Sequence, residues 1–281
     1  MNYNEVKQHG TLDFPFELYK LSDPSHPRYE MAMHWHSSLE LIRVISGELH
    51  VSLDNRKYLG YAGDIFFVNS ETVHGAQPIN CEYECIVFNL AFMKTNNSIC
   101  NSFIDELLNK SAFVTERVED ATVKQYINDL FEIMNAESEG YRFKVFSAVF
   151  GMLGEIINRA AYSGTLPTFG EKVEKNVHKL KRALTYIREN FDKDITLSDM
   201  ANASGLSTKY FCAFFKQMTE KTPVEYLNMY RVERAARKLI GSDMSITEIA
   251  YTTGFNDLSY FIKTFKEFKK CTPRAYRKAA N

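Results

Sequence analysis

The sequence predicts an α+β chain of two modules: a strand-rich first part that carries a helical layer, and an all-helical last part. Three observations predict it. Up to about residue 90, short runs rich in Val, Ile and Leu are broken by Gly, Asn and Asp. Beyond about residue 100, apolar residues recur at helical spacing instead. The charge also divides. Before the Glu171/Lys172 junction, 13 Lys and Arg stand against 23 Asp and Glu, a balance of −10; after it, 21 stand against 12, a balance of +9. An acidic part joined to a basic part, within a net charge of −1, points to two modules, the second facing a polyanion.

The strand candidates come first. "LELIRVISGELHVSLDNRKY" (39–58) contains "SGE" and "LDNRK" as turn signals, "GYAGDIFFVNSETVHGA" (60–76) continues in the same style, and "YECIVFNLAFM" (83–93) reads as another strand. Closely spaced short strands of this kind form a sandwich or a barrel. Helices follow in "SFIDELLNK" (102–110), "EDATVKQYINDLFEIMNAESE" (119–139) and "YRFKVFSAVFGMLGEIINRAAY" (141–162). In the second of these, Val123, Ile127, Leu130, Phe131 and Met134 form one stripe. The stripes exceed what a small barrel needs for cover, which makes this layer a candidate for homodimer contacts. "SGTLPTFGEK" (163–172), with two Gly, a Pro and hydroxyl residues, reads as a linker. The expected boundaries are a first module over 1–162, a linker over 163–175 and a second module over 176–281.

Other classes fall away. The opening "MNYNEVKQHG" has no apolar core of a secretory leader, and the run "FSAVFGMLGEII" (146–157) is too short for a bilayer and carries Glu155. The five cysteines (Cys81, Cys85, Cys100, Cys212 and Cys271) are odd in number and scattered, which suits a reducing cytoplasm.

The last hundred residues contain a repeat. "ITLSDMANASGLSTKYFCAFFKQMTEKTPVEYL" (195–227) aligns with "MSITEIAYTTGFNDLSYFIKTFKEFKKCTPRAYR" (244–277). Ala201 matches Ala250 and Gly205 matches Gly254, while Phe211, Phe215, Pro223 and Tyr226 match Phe261, Phe265, Pro273 and Tyr276. Each unit reads as a short helix, a glycine turn and a second helix with its phenylalanines inward, the helix-turn-helix plan. Thr196 or Ser198, and Thr247 in the second copy, are cap candidates for the first helix; Ser207, and Asn256 or Asp257, are cap candidates for the second. "PVEYLNMYRVERAARKLI" (223–240) reads as one connecting helix with Pro223 at its first position. At ~1.5 Å per residue it spans roughly 27 Å. A strut of that order would hold two reading heads about 34 Å apart, one turn of DNA.

These C-terminal residues resemble the DNA-binding domain of the AraC/XylS family of transcription regulators. The resemblance rests on "LSDMANASGLSTKYFCAFFK", "TPVEYL", "RVERAARKLI", "ITEIAYTTGFNDLSYFIKTFK" and "TPRAYR". It implies promoter DNA as partner and contact with RNA polymerase. By helical geometry and the family's docking, Lys209, Cys212, Ala213 and Lys216 face outward in the first head, and Leu258, Ser259, Ile262 and Lys263 in the second. Small Cys212 and Ala213 depart from the Arg or Gln common in that family, leaving contact with thymine methyls or simple packing. Lys216 and Lys266 follow phenylalanines that face inward, and read as phosphate contacts, giving affinity rather than sequence.

In the first module, "HWHSSLELIRVISG" (34–47) resembles the first motif of the cupin superfamily, and "YAGDIFFVNSETVH" (61–74) the second. His34, His36 and Glu40 share strand parity, and His74 closes the second motif. The resemblance leaves three readings open for these four: contacts to an organic effector, commonly a sugar in AraC regulators; ligands to a divalent metal, as in metal-binding cupins; or structural polar residues. No other cofactor is expected. The chain thus reads as a cytoplasmic, effector-responsive DNA-binding regulator. The alternatives are a metal-dependent cupin enzyme and a constitutive DNA binder with a non-sensing barrel.

Overall fold

The computed structural model describes residues 9–11, 13–24, 29–94, 98–163 and 171–280. The chain forms two compact units, one of Met1–Ser22 with Met33–Glu171 and one of Asp23–Ala32 with Lys172–Asn281. The fold is α+β in two parts, a sheet-rich first and an all-helical second. Residues 164–170 of the expected linker lie outside the described residues.

The sheet strands of the first part are β1 (Phe16–Leu21), β2 (Met31–His34), β3 (Leu39–Leu53), β4 (Arg56–Tyr61), β5 (Ile65–Val68), β6 (His74–Phe88) and β8 (Arg117–Val118). They form one seven-stranded sheet of order β1-β6-β3-β5-β8, with β2 on β6 and β4 on β3. A small second sheet pairs β7 (Phe113–Val114) with β9 (Tyr162–Ser163). The main ladder is antiparallel between β3 and β6, the two 15-residue strands, and is interrupted between Val44 and Ser46 and again between Ser46 and Glu48. Irregularities of this kind bend a strand and increase its local twist, which lets one long strand serve several neighbours. Among the described residues the path of pairings ends at β1 and β8, where the sequence suggests a barrel.

Alternation along β3 separates two faces. Leu39 and Leu41 join Ile65, Phe67, Ile86 and Phe88 in a core. The covering helices are α2 (Ala121–Ala136) and α3 (Tyr141–Asn158), preceded by α1 (Ser98–Leu108). Val123, Ile127, Leu130, Phe131 and Met134, the stripe read from sequence, are all buried in this core. That face of α2 therefore covers the sheet and is not free for a second copy. Asp120 caps α2, its side chain accepting from the amides of Thr122 and Val123. Arg43, on the same face as Leu41, stacks 4.4 Å from the Phe131 ring and pairs with Glu84 at 2.7 Å and Glu132 at 2.9 Å. Glu40 and Ile42, of opposite parity, turn to the other side of the sheet.

The helical part comprises α4 (Glu171–Asn190), α5 (Leu197–Ser204), α6 (Thr208–Thr219), α7 (Pro223–Gly241), α8 (Ile246–Thr252), α9 (Leu258–Lys269) and α10 (Pro273–Ala280). Phe261, Phe265 and Tyr276 pack with Val232, Ala235 and Leu239 of α7 around Phe255. No helix among the described residues is long and apolar enough to cross a membrane.

Candidate functional site: two helical heads and a buried histidine cluster

Each head is assembled by caps. At α5, the Thr196 hydroxyl accepts from the Asp199 amide while the Asp199 carboxylate accepts from the Thr196 amide. These bonds hold the Asp199 carboxyl below its usual range. At α8 the same box is made by Ser245 with Glu248, not by Thr247, which lies inside the helix. The box needs its acidic partner three residues on. Ser245 has Glu248 there, whereas Thr247 has Ala250. Thr222 and Glu225 repeat the device at α7, with Pro223 in the first turn as expected.

Gly205 ends α5 at φ 70°, and Gly254 follows α8 at φ 85°, the left-handed turns the repeat requires. In α6, Phe211, Phe214 and Phe215 are buried, and Lys209, Ala213 and Lys216 are exposed while Cys212 is half-buried. In α9, Phe261, Thr264 and Phe265 are buried, Ser259, Ile262, Lys263 and Lys266 are exposed, and Leu258 is half-buried. Sequence reasoning missed the internal ties of this unit. Arg231 of α7 donates to the carbonyls of Phe191 (2.7 Å) and Lys193 (2.8 Å), and Asn228 donates to the Tyr260 hydroxyl at 2.7 Å. Both are long-range contacts that no local spacing announces.

In the first part, His34, His36, Glu40 and His74 come together as the two motifs suggest, although for a different reason. Strand parity does not align the first three, because β2 stops at His34 and β3 starts at Leu39. The intervening bend brings them together, and it is pinned where the Glu71 amide donates to the His36 carbonyl (2.8 Å) and Ser70 Oγ to the Ser37 carbonyl (2.8 Å). Glu40 then projects from the centre of the sheet, since its register neighbours are Val68 on β5 and Val87 on β6.

The possible donor atoms of the four residues all lie within 4.8 Å of one another. His36, Glu40 and His74 are buried and His34 is half-buried. His36 Nε2 and His74 Nε2 each lie 3.2 Å from the same oxygen, Glu40 Oε2. On the far side of each ring, Nδ1 of His36 donates to the Ser38 carbonyl (3.1 Å) and Nδ1 of His74 to the Thr72 carbonyl (2.8 Å). Burial lowers the His36 pKa, against the opposing pull of Glu40. Burial works to raise that of Glu40, but the contacts from His36 and His74 outweigh it and hold the carboxyl well below its usual range.

His9 was also missed. It is buried, its ring lies 5.6 Å from that of His36, and its Nδ1 lies 2.9 Å from the Tyr19 hydroxyl. It belongs to no motif, so no spacing could have found it.

A basic helical unit with two capped helix-turn-helix heads, following a sheet module with an enclosed polar cluster, defines the class: a DNA-binding transcription regulator with a ligand-binding domain. Residues 200–279 match the family described as "Helix-turn-helix domain", and residues 21–146 the "AraC-like ligand binding domain". The chain belongs to the AraC family of transcriptional regulators. Similar proteins include the HTH-type transcriptional regulator YdeC of Bacillus subtilis, 24% identical over 99% of this chain and 96% of its own length. The HTH-type transcriptional activator RhaS of Mannheimia succiniciproducens is 26% identical over 91% of this chain and 92% of its own. The melibiose operon regulatory protein of Escherichia coli is 24% identical over 90% of this chain and 85% of its own.

Proposed function

We propose that this protein is a cytoplasmic regulator that grips promoter DNA with both heads and answers to a small-molecule effector of the carbohydrate class. Lys209, Cys212, Ala213 and Lys216 meet the duplex from the first head, and Leu258, Ser259, Ile262, Lys263 and Lys266 from the second. His34, His36, Glu40 and His74 face the effector. The single observation that supports this most is the duplicated, separately capped head joined through the 19-residue α7. At ~1.5 Å per residue that helix is about 28 Å long. The span suits two adjacent major grooves on one side of a duplex. The carbohydrate reading draws on the similarity to the melibiose operon regulatory protein. Contact with RNA polymerase, activation of transcription and a homodimer through surfaces of the helical layer left free by the sheet complete the proposal. No catalytic role is assigned to any residue, and the similar proteins carry regulators' names.

Selection from random duplexes, followed by footprinting, tests this reading. The expected result is two protected segments one helical turn apart, contacted by one chain, with affinity altered by a sugar that also raises the melting temperature. Equal binding to all duplexes, with and without a panel of sugars, would refute it.

A further inference from the structure

The repeat extends further back than the two heads. At the spacing of 49 residues that relates Gly205 to Gly254, Leu180, Ala183 and Ile187 of α4 fall on Met229, Val232 and Ala236 of α7, and all six are buried. Thr196 and Asp199, the capping box of α5, fall on Ser245 and Glu248, the box of α8. Arg182 falls on Arg231. Each arginine lies over its own turn: a Cβ on Gly254 would sit 2.8 Å from Arg231 Nε, and one on Gly205 would sit 3.5 Å from Arg182 Nη1. The helical part is thus one three-helix unit written twice, α4-α5-α6 and α7-α8-α9, with α10 added at the end.

The loop after α4 makes the joint between the two units. Its Phe191 and Lys193 carbonyls accept from Nε and Nη2 of Arg231. The Phe191 ring packs 5.3 Å from that of Tyr230, and Arg234 stacks over it, also 5.3 Å away. The Phe191 carbonyl also covers Gly254, which is buried. Two units joined in this way leave half a joint unused at each end. At the first end Gly205 is exposed, and Arg182 is exposed and makes no hydrogen bond or ion pair among the described residues. Its guanidinium has the same fork of donors that Arg231 places on carbonyls. At the last end, the loop after α7 has Ile240 where the first loop has Phe191, and Ser242 where it has Lys193. Ile240 is 48% exposed, and among the described residues neither the Ile240 nor the Ser242 carbonyl accepts a hydrogen bond. An exposed apolar side chain beside two open carbonyls is the counterpart of an open guanidinium beside a bare turn.

We propose that these two ends bind each other between copies of this chain. The loop between α7 and α8 of one copy docks on α4 and the Gly205 turn of the next, as the loop between α4 and α5 docks on α7 and the Gly254 turn within a copy. The contact is heterologous, with a different surface on each side, so it lines copies up in one orientation. Because it repeats the internal joint, it keeps the step from head to head, and four heads follow one side of a duplex. One loop on one turn is a small contact, below what holds a complex together in free solution. It acts when DNA holds two copies side by side at high effective concentration. With heads one helical turn apart, copies recur every two turns, about 21 base pairs. DNA binding by both heads is the premise, so single-site affinity is measured alongside.

The test titrates full-length protein onto duplexes carrying one copy of its selected site, or two copies as direct repeats about 21 or about 26 base pairs apart. Expected is cooperative filling of the closer pair, at least about tenfold over independent sites, and its loss in the wider pair, where half a turn puts the copies on opposite sides. Arg182→Ala and Ile240→Ser should each lower that cooperativity at least about fivefold and leave single-site affinity unchanged. Each variant keeps one of the two surfaces intact, so an equal mixture of them should recover part of the cooperativity that neither shows alone. Equal filling of the two spacings, cooperativity that both variants retain, or a mixture that recovers nothing overturns the proposal. Single-site binding by Arg182→Ala that is weaker and less salt-dependent marks that residue as a phosphate contact and overturns it too. Any of these results beside retained site preference leaves the regulator reading standing; equal binding to all single-site duplexes overturns both.

Discussion

Gly205 and Gly254 occupy equivalent turns of the two heads, 49 residues apart, and both have left-handed backbone. Their surroundings differ. A Cβ on Gly205 would meet only Arg182 Nη1, at 3.5 Å. One on Gly254 would lie 2.2 Å from the Phe191 carbonyl oxygen and 2.8 Å from Arg231 Nε. Arg231 itself ties α7 to the segment between α4 and α5 through the Phe191 and Lys193 carbonyls. It also lies 5.8 Å from the ring of Phe255, the residue after Gly254. Asn228, one turn earlier on α7, holds the Tyr260 hydroxyl of α9, whereas the equivalent Tyr210 of α6 stacks on Phe214; both rings are exposed. A repeated sequence has thus produced unequal anchoring. The second head is tied to the strut by polar α7 side chains, Asn228 to Tyr260 and Glu233 to Lys269, whereas the first packs Phe215 against Tyr226 of the same helix.

The largest expected effect breaks this comparison at the turns. Gly205→Ala forces an alanine into left-handed backbone and should cost about 1–2 kcal/mol. Gly254→Ala adds a backbone collision that no rotamer relieves, and should cost more than about 3 kcal/mol. Thermal unfolding of the helical part in the full-length protein measures both. Equal shifts would show that the second head is not the more tightly held.

The heads also differ in what they offer a base pair. Cys212 and Ala213 present little hydrogen bonding, so the first head's contribution should come mostly from Lys209 and Lys216 on phosphate. Lys263→Ala should then change base preference in one half-site by about 1–3 kcal/mol. Lys216→Ala should weaken all sequences alike and reduce the salt slope by about 0.9. Binding measured over a salt series on matched and mismatched duplexes separates the two. A sequence-selective loss in Lys216→Ala would reverse the assignment.

What the sequence disclosed follows from range. The α2 stripe, the glycine turns, the Pro223 start and the inward phenylalanines are local patterns, and each appears where its period places it. The four-residue cluster was legible as two motifs, but the strand-parity reason for its convergence failed because a bend intervenes at residues 35–38. Ser245 rather than Thr247 caps α8 because hydroxyl chemistry alone does not distinguish the two, and only Ser245 has an acidic residue, Glu248, three places on. The two-residue strands β7, β8 and β9 are too short to have a period. His9, Asn228 and Arg231 act across 10 to 40 residues, and nothing near them in sequence marks their partners.

The smallest expected effect lies at the cap residue that precedes each reading helix. Asp257 accepts from the Tyr260 amide at 2.5 Å, while Ser207, in the same role, makes no side-chain cap bond. Ser207→Ala should therefore change stability by only a few tenths of a kcal/mol, and Asp257→Ala should cost about 1 kcal/mol. Asp257 also places a negative charge at the positive end of the helix that is to enter the groove. That charge is favourable in the free protein and opposes the approach of phosphate. Replacing it should thus lower the melting temperature without lowering DNA affinity at low salt. If Asp257→Ala loses stability and affinity together, while Ser207→Ala loses neither, then the cap serves to present α9 to DNA and its charge is incidental. If both variants behave alike, the difference between the heads ends at their turns.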